Sequence, residues 1–222
     1  MFKNLIDDSK ERINYYQSML KDSNRTVLEK IIEVLNAWSK IRRTGRFNIE
    51  EETIFRNAIC ESHEYIWYEA GKKLIKLIQY DKSIRGIFID VFTDKNWKHR
   101  FNVVALSKNF DKELAELILR KGIDDKSSKV REMVADVILS REDKYLVPVL
   151  EERLERESNK DVRIAIKFTL ENIHKLKRDK HGRIVFSINR GKKPEGAGLN
   201  GLLPNDACDD DTLAKLEAKH RG

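Results

Sequence analysis

Four stretches of this chain can be laid over one another on a single anchor column, and that recurrence restricts the fold more than any other feature. Residues 161–170 (DVRIAIKFTL) align with 129–138 (KVREMVADVI), with 98–107 (KHRFNVVALS) and more loosely with 65–74 (YIWYEAGKKL). The anchors are Trp67, Arg100, Arg131 and Arg163, separated by 33, 31 and 32 residues. A second column repeats with them, because six residues before each anchor stands an acid: Glu61, Asp94, Asp125 and Glu157. Two columns recurring together across four units imply one supersecondary unit used in series, each burying its apolar side only against the next.

The unit is helical. Apolar residues return every three or four positions through most of residues 2–177, and proline is absent before Pro148. The period predicts helices at 3–21, 25–43, 49–60, 62–79, 83–92, 96–109, 111–121, 128–140, 143–156 and 160–177. Joints carry helix-start chemistry: residues 22–26 (DSNRT), Asn48 with Glu51 three residues on, Ser127-Ser128, and Ser158-Asn159. Val130, Val134, Val137 and Ile138, like Val162, Ile166, Leu170 and Ile173, follow core spacing. The first two helices, with Phe2, Leu5, Ile6, Ile13, Tyr16, Leu20, Val27, Leu28, Ile31, Ile32, Leu35 and Trp38, would cover one end of the stack. Strand-like alternation occurs once, at residues 183–189 (RIVFSIN).

An acid in a turn, then an apolar-Arg pair opening a helix with small and apolar residues behind it, resembles HEAT repeats, particularly the short bacterial HEAT-like type. Leu146-Val147-Pro148 looks like the first helix of such a repeat. The resemblance covers residues 61–177 and implies a right-handed α-solenoid of antiparallel helix pairs. Residues 1–60 are then a helical cap or degenerate repeats, 61–178 the HEAT-like repeats, and 179–222 a loop-rich extension with a hairpin and a short helix near 210–219. In the resembling family the turn acid of one repeat pairs with the arginine of a neighbour, so Glu61, Asp94, Asp125 and Glu157 with Arg100, Arg131 and Arg163 form an architectural ladder. A guanidinium fork matched to a carboxylate fixes stacking register. Trp67, standing where the ladder would begin, is expected as a capping core residue.

Catalytic patterns are missing. There is no G-x-x-x-x-G-K-[ST], G-x-G-x-x-G, G-x-S-x-G or H-E-x-x-H. Cys60 and Cys208 are isolated, which argues against a zinc site and a disulfide framework. His63-Glu64 is the single His-Glu pair; a HEAT-like di-iron hydroxylase holds its metals with four, and the matching positions here are Asn96-Trp97, Ser127-Ser128 and Asn159-Lys160. No metal or cofactor is expected. Residues 94–100 (DKNWKHR) are similar to the tryptophan-bearing repeats of HEAT-like DNA glycosylases of the alkylpurine type, which makes Trp97 a candidate contact residue.

The chain carries a net charge of +7 with a pI near 9.2, and the charge is local. Lys175, Lys177, Arg178, Lys180, Arg183, Arg190, Lys192 and Lys193 stand against Asp179 alone, which equals the excess of the whole chain. The repeat body is only mildly basic, unlike a surface that tracks a phosphate backbone along its length. No apolar run approaches the roughly 18 residues that cross a bilayer, so no membrane partner is expected and a cytoplasmic location is. The sequence predicts a non-enzymatic protein-binding module, an adaptor or immunity-type inhibitor gripping a protein partner. The alternative is nucleic-acid binding through the basic 175–193 cluster, with alkylpurine-type glycosylase activity at its extreme.

Overall fold

The computed structural model describes residues 2–20, 24–178 and 184–185. These form an all-α fold. Ten helices run in chain order: α1 (Ser9–Met19), α2 (Arg25–Thr44), α3 (Ile49–Ile59), α4 (Glu64–Ile78), α5 (Arg85–Phe92), α6 (Trp97–Leu106), α7 (Lys112–Gly122), α8 (Ser128–Arg141), α9 (Val147–Arg156) and α10 (Lys160–Asn172). The described residues also contain one antiparallel ladder, Lys177–Arg178 (β1) against Ile184–Val185 (β2).

Four of the helices, α3, α6, α7 and α10, begin where a side chain satisfies the first amide groups. Asn48 and Glu51 form a reciprocal capping box at α3, Asp111 accepts from the Leu114 amide, and Asn159 accepts from the amides of Asp161 and Val162. α2 closes on Gly45, whose φ of 72° is the left-handed conformation glycine adopts without steric cost.

Packing follows chain order. α4, α6, α8 and α10 touch in series and form one row; α3, α5 and α7 touch in series and form a second. Each second-row helix packs on its sequence neighbour in the first row, α3 on α4, α5 on α6 and α7 on α8, and α9 packs on α10. α2 bridges α1, α3 and α4. The core runs continuously between the rows, through Trp38, Phe55, Leu74, Phe88, Leu106, Val134, Ile138 and Ile166.

Three details depart from the sequence reading. Residues 3–21 do not form one helix: a short 3-10 turn at Phe2–Asn4 stops and α1 starts at Ser9, because the Asp7 carboxylate turns back to accept from the Ser9 amide at 3.2 Å. Ile6, expected among the covering residues, is 81% exposed in that break. α10 ends at Asn172 rather than 177, since beyond Ile173 only Leu176 reaches the core and further helix would bury little. The strand expected at 183–189 is described only at Ile184 and Val185, and its partner is residues 177–178, which the helical period had claimed. The short helix near 210–219 and the rest of residues 186–222 lie outside the described residues.

One close approach joins α4 to α6. Gly71 faces the side chain of fully buried Leu106, and a methyl group at Gly71 would stand 2.3–2.9 Å from it. Gly71→Ala is expected to cost about 1–3 kcal/mol through overpacking, only partly offset by the better helix propensity of alanine. Urea unfolding followed by circular dichroism checks this: the midpoint should fall with an unchanged slope.

Candidate functional site

The recurring arginines fill one geometric role. Arg100 on α6 donates from Nε and Nη2 to both carboxylate oxygens of Asp125, at 2.6 and 2.7 Å. Arg131 on α8 does the same to Glu157, at 2.7 and 2.9 Å. The remaining Nη1 of each turns backward: Arg100 reaches the carbonyls of Asp94 and Lys95, Arg131 those of Asp125 and Lys126. Each acid also caps its own turn, with Asp125 accepting from the Ser127 amide and Glu157 from the Asn159 amide, both at 2.8 Å. One guanidinium thus ties the turn it leaves to the turn that follows.

Both ends of this ladder are irregular. Arg163 donates to the carbonyls of Leu154 and Glu157, and no acid meets its fork among the described residues. Trp67 occupies the anchor column on α4 and is buried, 3% exposed. Asp94 therefore meets no guanidinium fork; it accepts from the Asn96 amide at 2.7 Å and lies 3.2 Å from Nδ1 of His99. Glu61 is paired with Lys30 of α2, while its carbonyl and that of Ile59 accept from the Asn102 amide group.

A second, unanticipated polar cluster anchors α1. Arg12 and Tyr16 both bond to Glu69 of α4, and Lys73 one turn on pairs with Asp8. Arg12, Glu69 and Lys73 are all at most 2% exposed. Burial works against the Arg12 charge, yet the field of Glu69 holds its pKa above the ordinary range; for Lys73 burial dominates and lowers it. Four-residue spacing on α1 and on α4 was the one available signal, and it is too common to single these residues out.

The same register defines an outer face of the first row. Positions three and two before the anchor, and one, five and nine after it, occupy one side of each helix. Of the nineteen residues so placed on α4, α6, α8 and α10, only Ala105 is buried. Trp97 and Phe101 project from α6, with ring centroids 6.2 Å apart and nearly perpendicular planes. Trp97 is 39% exposed and Ile164 on α10 is 37% exposed. Tyr65 and Tyr68 on α4 and Phe168 on α10 are half-buried. Five lysines and four acids share the face, so its charge nearly balances.

Its centre is acidic. Glu132 and Asp136 stand one turn apart on α8, and Glu132 is paired with Lys129 at 2.9 Å. Asp136 makes no hydrogen bond or ion pair among the described residues. Burial, reinforced by the neighbouring Glu132 charge, raises its pKa to about 7. Sequence comparison could have flagged it, because its column otherwise holds Lys72, Ala105 and Phe168.

The expected basic contacts are mostly elsewhere. Lys175 is exposed just beyond α10, and the backbones of Lys177 and Arg178 form β1. Lys180, Arg183, Arg190, Lys192 and Lys193 lie outside the described residues, so the structure places none of them beside Trp97. Cys60 is half-buried, and burial together with Asp94 raises its thiol pKa, the opposite of what a nucleophile needs. Among the described residues no three His, Cys, Asp or Glu side chains are arranged to hold a metal ion, and no helix is long and apolar enough to cross a membrane. No known protein family matches this chain, and no curated protein is significantly similar to it.

The two most strongly perturbed acids should respond to pH in opposite senses. Burial alone would raise the pKa of Glu157, but hydrogen bonds from Arg131, the Asn159 amide and Arg153 bring it down to about 2, against 4.5 unperturbed. Its contribution, on the order of 2–3 kcal/mol, is complete above pH 4.5 and fades as pH falls toward 2. In urea melts Glu157→Gln should be less stable than the wild type at pH 6, with the gap narrowing as pH falls below 4.5. Asp136 is destabilising once ionised: folded, it titrates near 7, against 3.8 unperturbed. Its penalty is absent below pH 3.8, grows through the interval and is complete above 7. Asp136→Asn should therefore stabilise the protein by about 2–4 kcal/mol at pH 8 and by little near pH 4.

Proposed function

We propose that this chain is a short right-handed α-solenoid of HEAT-like helix pairs, a non-enzymatic module that binds a protein partner across the outer face of α4, α6, α8 and α10. The composition of that face carries the reading. Aromatic residues enriched over a nearly neutral surface are what protein interfaces use, since they bury large rigid areas at little entropic cost. A nucleic-acid surface would need an excess of lysine and arginine to displace counterions. Here Trp97, Phe101 and Ile164 are apolar, and the surrounding lysines are matched by acids.

Affinity capture with the full chain tests the reading. One protein should be retained by the wild type at both low and moderate salt. Trp97→Ala and Phe101→Ala should each weaken that binding by about 2 kcal/mol, roughly thirtyfold. Capture of nucleic acid instead, with affinity falling steeply against salt and lost on charge reversal of Lys177, Arg178 and Lys180, would overturn it in favour of a polyanion-binding protein.

A further inference from the structure

Between α2 and α3 lies a groove that takes no part in the outer face. We propose that it receives residues 186–193 (FSINRGKK) of a second copy of this chain, with apolar side chains on its floor and cations against its carboxylates. The contact goes beyond the outer-face reading and does not depend on it.

The groove has a volume of about 400 Å³ and opens to solvent. Ile32 and Ala37 of α2 and Ile54 of α3 give it an apolar floor. Glu29 and Glu33 of α2 and Glu50 and Glu51 of α3 line it as well, with Lys40 as the only cation among its lining residues. Arg25 answers Glu29 at 3.0 Å, and Lys40 is shared between Glu50 and Glu51 at 2.6 and 2.8 Å, so four carboxylates meet two cations. Glu33 is exposed and forms no hydrogen bond or ion pair among the described residues. Glu51 is 1% exposed, and its Oε1, the oxygen beside Lys40, accepts no hydrogen bond. Other bases of α2 do not make up the deficit: Lys30 pairs with Glu61, Arg42 donates to the Lys3 carbonyl, and Arg43 does not line the groove. Ile49, next to Glu50, is 76% exposed and adds apolar surface at that end.

The chain carries a segment of matching chemistry. Residues 175–193 hold eight bases against one acid, and residues 186–193 join Phe186 and Ile188 to Arg190, Lys192 and Lys193. Positions 186, 188, 190 and 192 alternate, so laid extended in the groove they would present one edge, first apolar and then basic. That edge would be about 20 Å long, and the lining from Glu29 to Lys40 runs about 16 Å along α2. A guanidinium entering beside Glu51 would bring a charge-assisted bond to an oxygen that has an ammonium near it and no donor aimed at it. An acidic segment would meet the excess carboxylates instead and be repelled.

The guest has to come from another molecule. Ile184 and Val185 are held against Lys177–Arg178, just beyond α10. From α10 back to α4 there are three helix-to-helix steps, through α8 and α6, about 25–30 Å at ordinary packing distances, and α2 and α3 both pack on α4. Eight extended residues span at most about 28 Å, which leaves none to lie in the groove of their own chain. The contact therefore joins the C-terminal side of one copy to the α2–α3 side of another.

Two experiments on the full-length protein test this. Nitrogen-15-labelled chain titrated with a peptide of residues 184–193 should show saturable amide shifts confined to residues 29–40 and 49–54. Glu33→Lys in the protein, or Arg190→Gln, Lys192→Gln and Lys193→Gln together in the peptide, should weaken the response about tenfold or more. Glu33 is exposed and unpaired, so its variant should fold, which circular dichroism checks. In sedimentation the wild type should associate as concentration rises and dissociate as salt is added. Glu33→Lys alone and the triple glutamine variant alone should associate far less, whereas an equimolar mixture of the two should form a complex, since one keeps the segment and the other the groove. A wild-type chain that stays single at every concentration, a peptide response indifferent to either change, or undiminished association of each variant alone would overturn the proposal.

Discussion

Everything along the row of α4, α6, α8 and α10 depends on one side chain making four hydrogen bonds in two directions. The forks of Arg100 and Arg131 each grip the acid of the next turn, while the third nitrogen closes the turn behind. Lysine could supply the charge but not the planar fork, and so could not hold a carboxylate and two carbonyls at fixed angles. The acids are equally constrained, since each accepts a guanidinium from one side and its own turn amide from the other. Apolar packing alone would allow the helices to slide along one another; a bidentate bond every 31 or 32 residues sets where they stop.

Such a ladder needs a different beginning. At α4 the anchor is Trp67, which fills core volume and makes no demand on an upstream acid. The polar tie between α1 and α4 instead passes through the buried Arg12–Glu69 contact, with Tyr16 and Lys73 completing the cluster. A buried ion pair adds little stability over a well-packed apolar substitute but is costly to break on one side only. It suits the task of seating α1, whose outer surface is polar, in one orientation. Lys40 performs a similar service between α2 and α3, bridging to Glu50 and Glu51 at 2.6 and 2.8 Å.

Legibility in the sequence followed the physics of each feature. The all-α class was open to reading because helical burial imposes a period, and the acid and arginine columns because the stack reuses one turn. Boundaries were less legible where a side chain diverts the backbone locally: Asp7 delays α1 to Ser9, and the loss of apolar residues after Ile173 frees Lys177–Arg178 to pair as a strand. The Arg12–Glu69 contact spans 57 residues with no repeated spacing to reveal it. Trp97 was named from the sequence alone and does lie on the outer face, but the basic residues named with it are not placed beside it. Asp136 was passed over because a single acid on an amphipathic helix looks like ordinary solvent-facing charge, although its column otherwise holds a lysine, an alanine and a phenylalanine.

The repeat separates two kinds of column, and that separation makes a functional surface possible on so regular a scaffold. Columns three and six residues after the anchor hold Ala70, Val103, Val134 and Ile166, then Lys73, Leu106, Val137 and Thr169, all buried. Those positions must serve packing. The columns one and five residues after the anchor hold Tyr68, Phe101, Glu132 and Ile164, then Lys72, Ala105, Asp136 and Phe168, with no shared chemistry. Register is held by the arginine forks and volume by the inner columns, so the outer columns can differ from helix to helix without disturbing either. An aromatic pair, an acidic pair and an aliphatic–aromatic pair can then stand side by side at distances the stack itself fixes. The surface is in that sense a by-product of the ladder: the more completely register is set by Arg100 and Arg131, the less the face must contribute to its own stability, and a costly group such as Asp136 can be carried there.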